Sequence, residues 1–158
     1  KPVFEEGQYS AVGTYSVKTR DVIEDNKNKN SSIVLRIDDM NMVIEGEVKE
    51  VDPGRDTRPI VLSSRTMVPI RAIVEAIGGN VSWDNDTRRI TLETSNNKVE
   101  MWVDKIDIYV NGVKKTMDVA PIVINSRTYV PVRFAAENLD CLVDWIGNTK
   151  DVIILYSK

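Results

Sequence analysis

Two stretches of the chain carry apolar residues at a helical period. Ile70, Ile73, Val74 and Ile77 fall at i, i+3, i+4 and i+7, and Val132, Ala135, Ala136 and Leu139 repeat that spacing. Such a period puts each set on one stripe of a helix facing a core. Around these helices the pattern turns to that of strands. "IVLRI" at Ile33–Ile37 and "KVEMWV" at Lys98–Val103 predict strands, and in the second Val99, Met101 and Val103 alternate with Glu100, Trp102 and Asp104. "NMVIEG" and "DIYVNG" follow, each closing on a glycine turn, and then "PIVL" and "PIVI" as short extended segments. A hairpin pattern follows each helix, "VSWDNDTRRITL" and "VDWIGNTKDVIIL". Ahead of these, Gly13–Glu24 predicts one more strand before the polar loop "EDNKNKNSS", and residues 1–12 read as a linker or arm.

The two sets are related by a fixed offset. "SRTMVPIR" begins at Ser64 and "SRTYVPVR" at Ser126, and 126 − 64 = 62. The correspondence runs without a gap from Pro59 to Leu92 and from Pro121 to Ile154. Upstream, the first copy carries a four-residue insertion around Asp52-Pro53-Gly54, a turn sequence. Self-similarity of this kind is the signature of an internal duplication. The predicted fold is α+β, a duplicated unit of strands around one short helix. The first unit spans 13–94 and the second 95–158, with strand 80–94 shared between them. Pro69 and Pro131 suit a first helical turn, where a missing N–H costs nothing. Gly78-Gly79 ends the first helix; Asp140-Cys141 is a weaker stop for the second.

Composition narrows the chemistry. The 158 residues suit one ordinary domain or two small ones. A net charge of −3 argues against a general nucleic-acid binder, which needs a basic face. No apolar run approaches the roughly 20 residues that span a bilayer, so this chain is expected not to insert into a membrane. The first residue is Lys1 rather than Met, which predicts a mature or excised fragment. The sequons at Asn30, Asn80 and Asn85 are short patterns that arise often by chance. There is no histidine and one cysteine, Cys141. That removes Ser-His-Asp and Cys-His catalysis, and structural zinc or copper held by histidine. Carboxylate, lysine, tyrosine and hard-cation chemistry remain. No cofactor, no metal and no catalytic residue is expected.

"RTMVPIRAIVEAIGGNVSWD" and "NGVKKTMDVAPIVINSRTYVPVRFAAENL" resemble the copper amine oxidase N-terminal domain family, also called stalk domains. The family pattern is an NG turn, a proline, R-T-x-V-P-x-R, a short helix and V-x-W. The resemblance covers both copies, about residues 33 to 156, and departs at Asp140-Cys141, where glycine is usual. It implies a curved antiparallel sheet packed around one helix. It also implies a non-catalytic stalk or accessory module on a secreted or cell-surface protein of a Gram-positive bacterium. The partners would be other domains of the parent protein or a second copy of the chain. The copper in the family name does not transfer, because this chain lacks histidine.

The phrase residues then read as fold-specifying: Arg65, Pro69, Arg71 and Trp83 in one copy, Arg127, Pro131, Arg133 and Trp145 in the other. Arg71 and Arg133 precede Glu75 and Glu137 by one turn, the poorer orientation of an i, i+4 pair. The preferred reading has all four arginines holding carbonyls of neighbouring strands. The alternative is an anion site beside a helix start. Trp83 and Trp145 share a face with Val81 and Val143 and are expected in the core. "DNDT" at Asp84–Thr87 and Asp38-Asp39 read as turns rather than calcium ligands. Trp102 shares the polar face of its strand, and Tyr109 is outward on the next. The pair is a candidate ligand platform or interface. Coverage by the other copy, the N-terminal arm or a second chain is preferred, and stacking on a cell-wall or plant polysaccharide is the alternative.

Overall fold

A computed structural model describes residues 21–23 and 29–157. Among them every strand pairing is antiparallel, and the helices are short, so the architecture lies between α+β and mainly β. One five-stranded sheet has the order β13 (Leu142–Ile146), β14 (Asp151–Tyr156), β1 (Ser31–Arg36), β2 (Asn41–Ile44), β3 (Glu47–Glu50). A second runs β10 (Val113–Thr116), β9 (Asp107–Val110), β8 (Lys98–Trp102), β7 (Arg89–Glu93), β6 (Asn80–Asp84). A four-stranded sheet runs β11 (Ile122–Ile124), β12 (Arg127–Pro131), β5 (Arg65–Pro69), β4 (Ile60–Leu62). Helix α1 (Ile70–Ala76) packs on β5, β6 and β12, and α2 (Arg133–Asn138) packs on β13.

The strand expected over Gly13–Glu24 is not what flanks β1. Residues 21–23 are helical, and 13–20 and 24 lie outside the described residues, as does the arm at 1–12. The edge of β1 is taken by β14, from Ser31↔Tyr156 to Arg36↔Asp151. The reason is visible in β14 itself. All six of its residues are buried, which marks a strand covered on both faces rather than an outer strand of a hairpin. The β6–β7 hairpin in turn pairs with β8, with Ile90↔Met101 and Leu92↔Val99 in register. Each five-stranded sheet therefore combines three strands from one part of the chain with a hairpin from the other.

One core joins the three sheets. Ile33 and Leu35, Ile90 and Leu92, Val99 and Met101, Val68 and Val130 belong to it, with Ile73 and Val74 of α1 and Phe134 and Ala135 of α2. The outer face of the β1 sheet holds a smaller apolar cluster of Val34, Val43, Ile146, Ile153 and Leu155, against which Val22 and Ile23 pack. The outer face of the β8 sheet is polar, because β7 and β8 alternate as their sequences do.

Residues 62 apart, or 62 + 4 = 66 apart upstream of the insertion, occupy matching places. Ser64 and Ser126, Arg88 and Lys150, Asp38 and Asp104 all have positive φ. The N–H of Asp38 donates to Pro59 O at 2.9 Å, and that of Asp104 to Pro121 O at 2.8 Å. The helix exits match as well: Gly78 has φ 91° and Asp140 φ 59°. A β-carbon on Gly79 would lie 2.5 Å from Glu93 O, so glycine is required where the first helix exit meets β7. At the second exit Asp140 takes the left-handed conformation, and its Oδ2 accepts from Asn97 Nδ2 at 3.0 Å. The prolines sit slightly earlier than expected. Pro69 is the N-cap of α1 and the last residue of β5, and Pro131 ends β12 one residue before the N-cap Val132. They close strands, where a missing donor leaves no ladder bond unmade.

Candidate functional site

The repeated phrase is the seam of the molecule. Met67, Val68 and Pro69 of β5 pair antiparallel with Pro131, Val130 and Tyr129 of β12, and Val68 faces Val130 at the centre. The two R-T-x-V-P runs thus build one ladder from matching residues.

The first arginine of each phrase crosses this seam. Arg65 Nε donates to Asp118 Oδ2 at 2.9 Å, and Arg127 Nε donates to Asp52. Thr57 Oγ1 also donates to Asp52, at 2.9 Å. The Arg127 guanidinium holds the Asp52 carboxyl below the ordinary aspartate range, against the opposing effect of burial. Tyr129 Oη donates to Arg58 O at 2.8 Å, and burial pushes its pKa up. These arginines hold carboxylates and not the strand carbonyls expected, because aspartates lie opposite them. Their partners escaped the sequence reading. Asp52 and Asp118 lie 66 positions apart, the offset that holds upstream of the insertion.

The second arginines differ from expectation more sharply. Arg71 and Arg133 are exposed. Arg71 meets Glu75 at 3.4 Å on the surface of α1, and among the described residues no hydrogen bond to a strand carbonyl accompanies it.

Trp83 and Trp145 also depart from expectation. Both lie on the inner face of their hairpins, opposite Ile90 and Val152. Yet Trp83 is 41% exposed and Trp145 44% exposed. They stand on edge strands beyond the reach of the short helices that cover Val81 and Val143. The Trp83 indole N–H donates to Asn85 Oδ1.

Trp83 lines a cleft of about 440 Å³ between the β6–β7 hairpin, the start of α1 and the β11–β12 turn. Ile70 and Ile90 contribute apolar surface, and Arg71, Arg88 and Arg127 contribute three cations. A smaller cleft of about 200 Å³ is lined by Arg65 and Arg133 together with Asp118 and Glu137. Its charges are mixed, whereas the larger cleft is lined by cations only.

Trp102 and Tyr109 meet edge to face, with centroids 6.0 Å apart and planes at 79°. Trp102 is half-buried and Tyr109 is exposed. Rings so crossed do not form a shared flat platform. Arg89, which pairs with Trp102 in register, bridges Asp84 at 3.9 Å and Glu100 at 3.7 Å on the same face. In the hairpin turn Asp84 Oδ1 accepts the N–H groups of Asp86 at 2.9 Å and Thr87 at 3.4 Å. Oδ1 is thus spent on the turn, and Oδ2 faces Arg89. Cys141 is buried, which pushes its thiol up to about 11.

A family model described as the copper amine oxidase N-terminal domain matches residues 43–154, a single span that takes in both phrases. No curated protein matches the chain.

Proposed function

Since the chain belongs to the copper amine oxidase N-terminal domain family, whose namesake domain is non-catalytic in the oxidases, we propose that it too is a non-catalytic module. Its role is that of a stalk or accessory unit of a secreted or cell-surface bacterial protein, which spaces, assembles or anchors other domains or a second copy of itself. The observation that carries this reading is the use of the phrase. Its strands and first arginines are consumed in joining two parts of the chain, Val68 to Val130 and Arg65 to Asp118. Residues invested in a seam serve rigidity, which a spacer needs. Two tandem copies of one unit account for the offset of 62 and for the paired backbone conformations. Cell fractionation with an antibody to this chain tests the assignment. Recovery in the envelope or medium is expected, and a pool confined to the cytoplasm would overturn it.

A second reading is a module that binds cell-wall or plant polysaccharide. It is favoured by the exposure of Trp83 and Trp145, and it moves from the Trp102–Tyr109 face, where the rings cross, to the hairpin edges.

A further inference from the structure

We propose that the cleft beside the hairpin tryptophan Trp83 is a binding site for an acidic polysaccharide, one built of uronate rings. The site is the cleft of Trp83, Arg71, Arg88 and Arg127, whose charged residues are cations only. The offset of 62 leads from Trp83 to Trp145, but the cleft of Arg65 and Arg133 is lined by Asp118 and Glu137 and not by Trp145. Core packing does not account for Trp83, which is over two-fifths exposed.

The chemistry of this site suits a ring that bears a carboxylate. The Trp83 N–H is occupied by Asn85, which leaves the face of the indole for a sugar ring. Arg88 forms no ion pair among the described residues, and Arg71 is held only by an exposed contact to Glu75. Guanidinium groups grip carboxylates through two parallel hydrogen bonds. Arg127, fixed by Asp52, serves as a positioned wall.

This inference rests on the second reading of the module, and its failure leaves the spacer reading intact. The test is retention on immobilised polygalacturonate, with cellulose as neutral matrix and wall teichoic acid as a phosphate polymer. Wild-type protein is expected on polygalacturonate and not on cellulose. Trp83→Ala should weaken binding to a short galacturonate oligomer roughly tenfold, and Trp145→Ala should leave it unchanged. Circular dichroism checks that the variants fold. Arg88→Gln, an exposed change, gives a second measure and should also weaken binding. Undiminished binding by folded Trp83→Ala or Arg88→Gln would overturn the proposal, as would no retention of the wild type on polygalacturonate, capture by cellulose, or capture by teichoic acid alone.

Discussion

Asp118 accepts a hydrogen bond from Arg65 at 2.9 Å, and Asp52 accepts one from Arg127 at the matching place across the β5–β12 ladder. The two pairs are alike in chemistry and unlike in burial. The Arg127 and Asp52 side chains are 27% and 23% exposed, against 42% and 48% for Arg65 and Asp118. Arg127→Ala is therefore expected to cost about 1.5–3 kcal/mol, the range for a charge-assisted hydrogen bond shielded from water. Arg65→Ala should cost under about 1 kcal/mol. Urea unfolding of the two variants checks the order, and equal losses would sink the argument. Arg71→Ala, which breaks only an exposed i, i+4 pair, should change stability by about half a kcal/mol or less.

The Asp52 pair also sets an acid limit. Its carboxyl is held below the ordinary value near 3.8, first by the Arg127 hydrogen bond, with Thr57 contributing. A carboxyl lowered in the folded state contributes stability that is present above its unfolded pKa and lost as pH falls through the folded one. Stability measured from pH 6 downward should thus fall below about pH 4 more steeply in the wild type than in Asp52→Asn. Parallel curves would show that the pair adds nothing dependent on pH.

The strands of the two phrases and their mutual ladder were not legible in the residue order, because pairing between segments 62 positions apart leaves no local pattern, and the second helix buries Phe134 and leaves the expected Ala136 exposed. The first helix and the β8 alternation follow from short-range periodicity. The partners of Arg65 and Arg127 do not, because an ion pair across 53 or 75 positions leaves no local signal and the insertion at Asp52 masks the match. The placement of Trp83 on the inner face was right by alternation, but burial depends on how far a seven-residue helix reaches, and alternation carries no such length. Likewise β14 reads as half of a hairpin locally. Its second partner, β1, lies more than a hundred residues away.

The crossed rings of Trp102 and Tyr109 carry a separate expectation. An edge-to-face pair adds about 0.5–1.5 kcal/mol beyond the area it covers. Trp102→Ala should lower the melting temperature while retention on polygalacturonate stays at the wild-type level. A stable variant that loses retention would move the glycan site to this face.

Cys141 gives a probe of the core near α2. Its thiol is buried and raised to about 11, mainly by desolvation. Reaction requires thiolate and access. At pH 8 a thiol reagent should label the native chain slowly and the urea-unfolded chain at the rate of a free cysteine. Rapid native labelling would mean that the exit of α2 opens readily.

The exchange of hairpins makes the strongest demand on the molecule. In a chain of two self-contained units, residues 95–158 would fold alone. Here β8 meets β7 in the register Val99↔Leu92 and Met101↔Ile90, and without the first half its inner edge is bare. The hairpin of β13 and β14 faces the same loss, because β14 pairs along its full length with β1. Both helices share one core with Ile33 and Leu35. A fragment of 64 residues stripped of these contacts also falls near the size at which a single core becomes marginal. Residues 95–158 expressed alone should show no cooperative urea transition and no slow amide exchange. The full chain should unfold in a single transition seen alike by tryptophan fluorescence and circular dichroism. Adding residues 1–94 in trans should restore structure to the fragment, since all the missing partners lie there. A fragment 95–158 that melts cooperatively by itself would show that its hairpin can close on its own strands, and would overturn the interlocked reading of the fold.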